Sequence, residues 1–172
     1  KGKLRRQGTY CKLFVDPEPY NGLDATSGTY AISDAQLNAI VDNFDQKIYP
    51  LMKNNYGTSY DKDGDGKVAI FFSPIVTQSF AGYFDTENFT SSSESNQRDM
   101  VYMWTPDISW RENTWLDATC ETIAHEYQHL VNFSLRMENQ KATLMSQYGD
   151  ISQRDIGNYW FDKIVNEEAW LD

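Results

Sequence analysis

WLDATCETIAHEYQHLVNFSLRM, residues 115–137, holds the only two histidines of a 172-residue chain, and both lie in HEYQH at 125–129. Leu116, Cys120, Ile123, Tyr127, Leu130 and Val131 recur at helical spacing and give the segment one apolar face. His125 and His129 are four residues apart, so a helix projects them from the same side. That spacing lets two imidazoles ligate one zinc ion at about 2.0–2.1 Å each. Glu126 sits roughly 100° round the helix from His125, where it reaches water at the ion and serves as a general base. Thr122, Ile123, Ala124, Tyr127, Gln128, Leu130 and Val131 are all uncharged, as expected of a buried active-site helix, whereas a surface helix scatters Lys and Glu. The competing reading is a pair of packing or surface histidines. A chain that uses histidine nowhere else makes that the weaker one.

Upstream, Thr9 to Val15 (TYCKLFV) reads as an opening strand, broken by Pro17 and Pro19. Ser33 followed by Gln36 is a capping-box pattern and starts a helix. Leu37, Ile40, Val41, Phe44 and Ile48 form its apolar stripe, Pro50 is expected to end or kink it, and Asn54, Asn55 and Gly57 to finish the segment. DKDGDGK, 61–67, reads as a turn, VAIFFSPIV behind it as a buried strand, and RDMVYMW, 98–104, as a second clear strand. Residues 77–97 read as a long aromatic loop, and the LRR run at the N-terminus as solvated charge. After Met137 a polar connection is expected, then a helix from Asn158 onward. Strands before the main helix and helices after it predict an α+β fold.

Composition narrows the function classes. Hydrophobic residues make up 40 % and aromatic residues 15 %, a globular composition long enough for one domain with a real core. The formal charge of −10 repels phosphate backbones, which argues against nucleic acid as a partner. No apolar run approaches the roughly 20 residues of a membrane span. The opening KGKLRRQGTYCKLF shows no initiator Met and no signal-peptide pattern, and reads as a piece of a longer precursor.

HEYQHLVNF resembles the zincin metallopeptidases of the gluzincin type, most closely the hyicolysin-like secreted bacterial neutral proteases. YCKLFVD, DKDGDGKVAIFF, GYFD at 82–85, SNQRDMVYMW and the closing EAWLD extend the resemblance over nearly the whole chain, although only HEYQH is specific by itself. It implies a single zincin-like catalytic domain over 1–172, with a small mixed sheet and an edge strand above the HEYQH helix, then a helical C-terminal part. It further implies an extracellular or cell-surface endopeptidase that takes peptide or protein substrates. RDMVYMW would be the edge strand, pairing with extended peptide. The metzincin pattern does not fit, because Asn132 and Leu135 occupy its Gly and third-His positions. A non-catalytic zincin-fold binding module, stabilised by calcium, is the alternative from another class.

A catalytic zinc site needs a third protein ligand. In the hyicolysin-like group that Glu directly follows a WLN- or WLD-type segment. The match at Trp170, Leu171 and Asp172 implies a ligand just past Asp172, with Glu167 and Glu168 as in-chain alternatives. The oxyanion-stabilising donor is expected to be a Tyr that the sequence does not single out.

Asp61, Asp63, Asp65 and the Lys67 carbonyl match positions 1, 3, 5 and 7 of a calcium loop, with Gly66 at position 6. Position 12 is Phe72 instead of Glu, and a strand follows instead of a helix, so calcium and a plain Asp/Gly turn both remain open. Cys11 and Cys120 allow one disulfide or two buried thiols. Trp104, Trp110 and Trp115 read as core residues or as a cleft lining.

Overall fold

Ser33 opens the first helix as its sequence predicts. The Gln36 N–H donates to Ser33 Oγ at 3.2 Å and the Ser33 N–H donates to Gln36 Oε1 at 3.0 Å, closing the capping box. The structure, a computed structural model, describes residues 2–17, 31–74, 76, 80–90, 92–105 and 114–148, with side chains up to 139. Its elements are β1 (Lys3–Gln7), β2 (Cys11–Val15), α1 (Asp34–Asn43), α2 (Tyr49–Asn55), β3 (Val68–Ser73), β4 (Gly82–Phe84), β5 (Met100–Trp104) and α3 (Trp115–Tyr148). The five strands form one mixed sheet in the order β1-β2-β3-β5-β4. β2, β3 and β5 run parallel, while the outer strands β1 and β4 are antiparallel to their neighbours.

Alternation along the strands divides the sheet into two faces. Cys11, Leu13, Val15, Val68, Ile70, Phe72, Val101 and Met103 fall on one face and merge with Leu37, Ile40 and Phe44 of the first helix and Ile123, Tyr127 and Leu130 of α3. The opposite face carries a smaller cluster of Ala69, Val76, Met100 and Tyr102, backed by Phe14, Phe71 and Trp104. The main core therefore lies between the sheet and the helices, and it includes the face of α3 predicted from its apolar spacing. The molecule is mixed α and β with a small mixed sheet, as expected.

Several expectations change. The helix from Asp34 does not end at Pro50. A π-helical turn, Phe44–Ile48, links α1 to α2, and the helix continues to Asn55. Pro50 lies in the first turn of α2, where its missing N–H is tolerated, and the wider i→i−5 turn before it is closed by the Tyr49 N–H on the Phe44 carbonyl. The LRR run is not simply solvated charge but part of β1, whose Arg5 and Arg6 reach Asp34 at 3.1 and 2.7 Å. The stretch read as a loop at 77–97 contains β4 and a 3₁₀ turn, Thr86–Phe89. RDMVYMW is not the edge strand, because β5 lies between β3 and β4 and the edge beside it is Gly82–Phe84. α3 extends past Met137 to Tyr148, since Glu138 to Tyr148 contains neither Gly nor Pro. The helix expected from Asn158 lies outside the described residues.

Candidate metal centre

α3 packs against β4 and β5 on one side and α1 on another. Ile123, Tyr127, Leu130 and Val131 are buried in this contact and fix the helix's rotation about its axis. With that rotation fixed, His125 is exposed, His129 is half-buried and Glu126, 8 % exposed, lies at the boundary. The motif is therefore less enclosed than its uncharged neighbours suggested: Gln128 is exposed and Thr122 half-buried.

The two imidazoles converge. Their Nε2 atoms are 3.0 Å apart, with ring centroids 4.6 Å apart and planes at 80°. Two ligands of a tetrahedral ion with bonds of 2.0–2.1 Å are roughly 3.3–3.4 Å apart, so a slight separation of the rings accommodates zinc. The donor set, two borderline nitrogens beside a carboxylate, also suits zinc. Among the described residues no third His, Cys, Asp or Glu joins this pair. Glu167 and Glu168 lie outside the described residues, as does Asp172.

β4 brings the sheet edge to this helix. A Cβ built on Gly82 would meet Thr122 Cγ2 at 3.0 Å, and the Phe84 ring lies 5.5 Å from that of Phe133. At roughly 100° per residue, Thr122, Glu126, His129 and Phe133 share one side of α3. The edge strand thus touches α3 on both sides of Glu126 and His129. The Trp104 N–H donates to the Ala81 carbonyl at 2.9 Å, and Tyr83 is opposite Tyr102. Antiparallel alternation then turns the backbone N–H and C=O of Gly82 and Phe84 away from β5.

The acidic loop forms a separate cluster. One carboxylate oxygen from each of Asp61, Asp63 and Asp65 lies within 4.8 Å of the others. Asp61 accepts the N–H groups of Asp65 (3.1 Å) and Gly66 (2.9 Å), and Gly64 and Gly66 take the positive φ values of 74° and 73° that the turn needs. Lys12 bonds Asp65, and Arg98 Nε lies 3.4 Å from Asp63. Burial alone would raise the Asp65 carboxyl, but Lys12 outweighs it and lowers the carboxyl below its usual range. The Lys67 ammonium bonds the carbonyls of Gly8 and Thr9 at 2.7 and 2.6 Å. Beside the loop, burial raises Asp99 to about 7, aided by the charges of Asp61 and Asp63.

Cys11 and Cys120 are free thiols. Burial raises them to about 12 and about 11, so both stay protonated thiols at neutral pH. Trp104 and Trp115 pack against the two clusters as half-buried core, and Trp110 lies outside the described residues. Tyr127 is 0 % exposed, which removes it from the tyrosines able to meet an oxyanion. The contribution of β4 has no signal of its own in the sequence, because GYF is too short to show a period.

No helix among the described residues is long and apolar enough to cross a membrane. No protein-family model matches the chain. Over 114 residues, 62 % of its length, the chain is 36 % identical to a protein described as neutral metalloprotease ShpI, from Staphylococcus hyicus. It spans about a quarter (26 %) of that relative. The chain is thus related by sequence to a metalloprotease, and its histidine pair and sheet edge belong to a mixed α+β unit.

Proposed function

We propose that the protein is a zinc-dependent endopeptidase of the gluzincin type, secreted or held at a bacterial cell surface. The observation that carries this reading is the 3.0 Å approach of His125 and His129 Nε2 beside Glu126, on the helix side touched by an antiparallel sheet edge. The relative's description as a metalloprotease supports it. His125 and His129 hold the ion, and a carboxylate from outside the described residues completes the set. Glu167, Glu168 and a Glu following Asp172 are the alternatives for that ligand. Zinc in such a site supplies Lewis acidity towards the scissile carbonyl and lowers the pKa of its water.

The remaining work falls to the chain itself. The outward N–H and C=O groups of Gly82 and Phe84 pair with extended peptide and orient it along α3. Glu126 accepts the proton of the attacking water and returns it to the leaving amine. Ile123, Tyr127 and Leu130 hold the helix so that both tasks meet on one side.

Zinc content and casein cleavage, compared between the wild-type protein extended past Asp172 and its Glu126→Gln variant, test the reading. The expected result is zinc in both and a loss of at least about a hundredfold in cleavage for the variant. A non-catalytic binding module gives the same blank for both proteins, and that result overturns the assignment.

A further inference from the structure

Tyr83 is the middle residue of the edge strand and is 39 % exposed. Its ring lies flat on Tyr102, with centroids 4.6 Å apart and planes at 9°. Tyr102 is itself anchored: its Oη donates to Asn88 Oδ1 at 2.9 Å and accepts from Asn96 Nδ2 at 2.7 Å. The Phe71 ring meets it edge-on at 6.0 Å. The exposed phenol ring is therefore backed by a ring that is itself hydrogen-bonded and packed. Gly82 and Phe84, its neighbours along the strand, face α3, so Tyr83 faces the opposite side of the sheet.

We propose that Tyr83 sets a substrate preference, by stacking an aromatic or large aliphatic side chain of a peptide added to the edge of β4. This rests on the peptidase reading only for the word substrate, since the binding geometry requires nothing but strand addition. The register makes the pairing specific. Tyr83 spends its backbone groups on Tyr102, so the peptide residue opposite it forms a non-hydrogen-bonded pair. In such pairs the side chains approach most closely. The partner's side chain then lies over Tyr83, while its two neighbours face α3. A preference at one peptide position, with no demand from Tyr83 on the adjacent ones, is the consequence. Cross-strand aromatic pairs support a discrimination of about two- to fivefold over Ala.

The test uses the Glu126→Gln protein, which binds without cleaving, and fluorescein-labelled heptapeptides carrying Phe or Ala at each position in turn. Anisotropy should show Phe binding about two- to fivefold more tightly than Ala at one position. That difference should vanish in Glu126→Gln/Tyr83→Thr, which keeps strand propensity, and persist in Glu126→Gln/Tyr83→Phe. Melting temperatures of both confirm folding. Equal binding of Phe and Ala peptides, a preference that survives Tyr83→Thr, or no peptide binding at all overturns the proposal. Casein cleavage by the wild-type protein is a separate readout. Selective binding without cleavage refutes the peptidase reading alone, and cleavage with no Tyr83-dependent selectivity refutes this proposal alone.

Discussion

Gly82 of β4 and Thr122 of α3 meet so closely that a Cβ added to the glycine would lie 3.0 Å from Thr122 Cγ2, and 2.8 Å from the Tyr102 carbonyl oxygen. A threonine methyl can turn aside, but a carbonyl within a sheet cannot. Gly82→Ala should therefore move the strand, at a cost of about 1–3 kcal/mol for overpacking. For a chain of this length that lowers the melting temperature by roughly 2–10 °C. Because the same strand presents the outward backbone groups, KM for peptides should rise as well. Thermal melts by circular dichroism check the first effect, and an unchanged melting temperature would refute the close contact.

The sequence showed the helix and its histidines clearly because HEYQH and an apolar stripe coincide in one periodic segment. Ser33–Gln36 was legible because a capping box is a local device. β1 was not, since KLRRQ has no alternation to bury, and the strand is held by pairing with β2 and by Asp34, 29 residues beyond Arg5. GYF was too short to show a period, and its edge position follows from which strands pair, which no local pattern specifies. Pro50 left an end or a kink open, and the π turn before it carries the helix on to Asn55, where Asn54, Asn55 and Gly57 were expected to finish the segment. In the proposed site the third metal ligand comes from a segment distant from the helix in sequence, beyond the reach of a local motif.

Tyr127 lies one residue after Glu126 and fills the core against Phe44 at 5.2 Å and Tyr49 at 6.3 Å. Its hydroxyl is buried. Ser59 faces it without the geometry of a hydrogen bond. Burial raises the phenol to about 12, so the group stays neutral. An unpaired buried hydroxyl is a cost of about 1–3 kcal/mol, so Tyr127→Phe should match or exceed the wild type in stability and keep its zinc content. Denaturant unfolding measures this. A loss above about 1 kcal/mol would show that the hydroxyl has a partner.

Asp99 gives the fold a pH dependence of definite sign. It is 2 % exposed and accepts from the Lys62 N–H at 3.2 Å, and burial holds its proton up to about 7. The unfolded chain releases that proton near 4, so between about pH 4 and 7 the folded state binds more protons. Stability from this group is therefore present at low pH and lost as pH rises through 7, by an amount of order 2–4 kcal/mol. Asp99→Asn should flatten the fall in melting temperature between pH 5 and 8. A wild-type curve that rises over that interval, in step with the variant, would refute the assignment.

Lys12 and Arg98 already compensate part of the charge that would draw calcium to Asp61, Asp63, Asp65 and the Lys67 carbonyl. The residue at the bidentate position, Phe72, is 0 % exposed in the core. With a cation to displace and no bidentate carboxylate, calcium should bind no more tightly than the weak extracellular modules, about 10⁻⁴–10⁻³ M. Lys12→Met keeps the aliphatic stem but frees Asp65, and should tighten calcium binding by about tenfold, one full charge at short range being worth about 1 kcal/mol or more near a surface. Isothermal titration of both proteins decides between a loop that its own lysine closes and one that calcium occupies. An affinity unchanged by Lys12→Met would show that the ammonium does not compete for the site. Micromolar binding by the wild type would mean that calcium displaces Lys12 and that a further ligand comes from outside the loop.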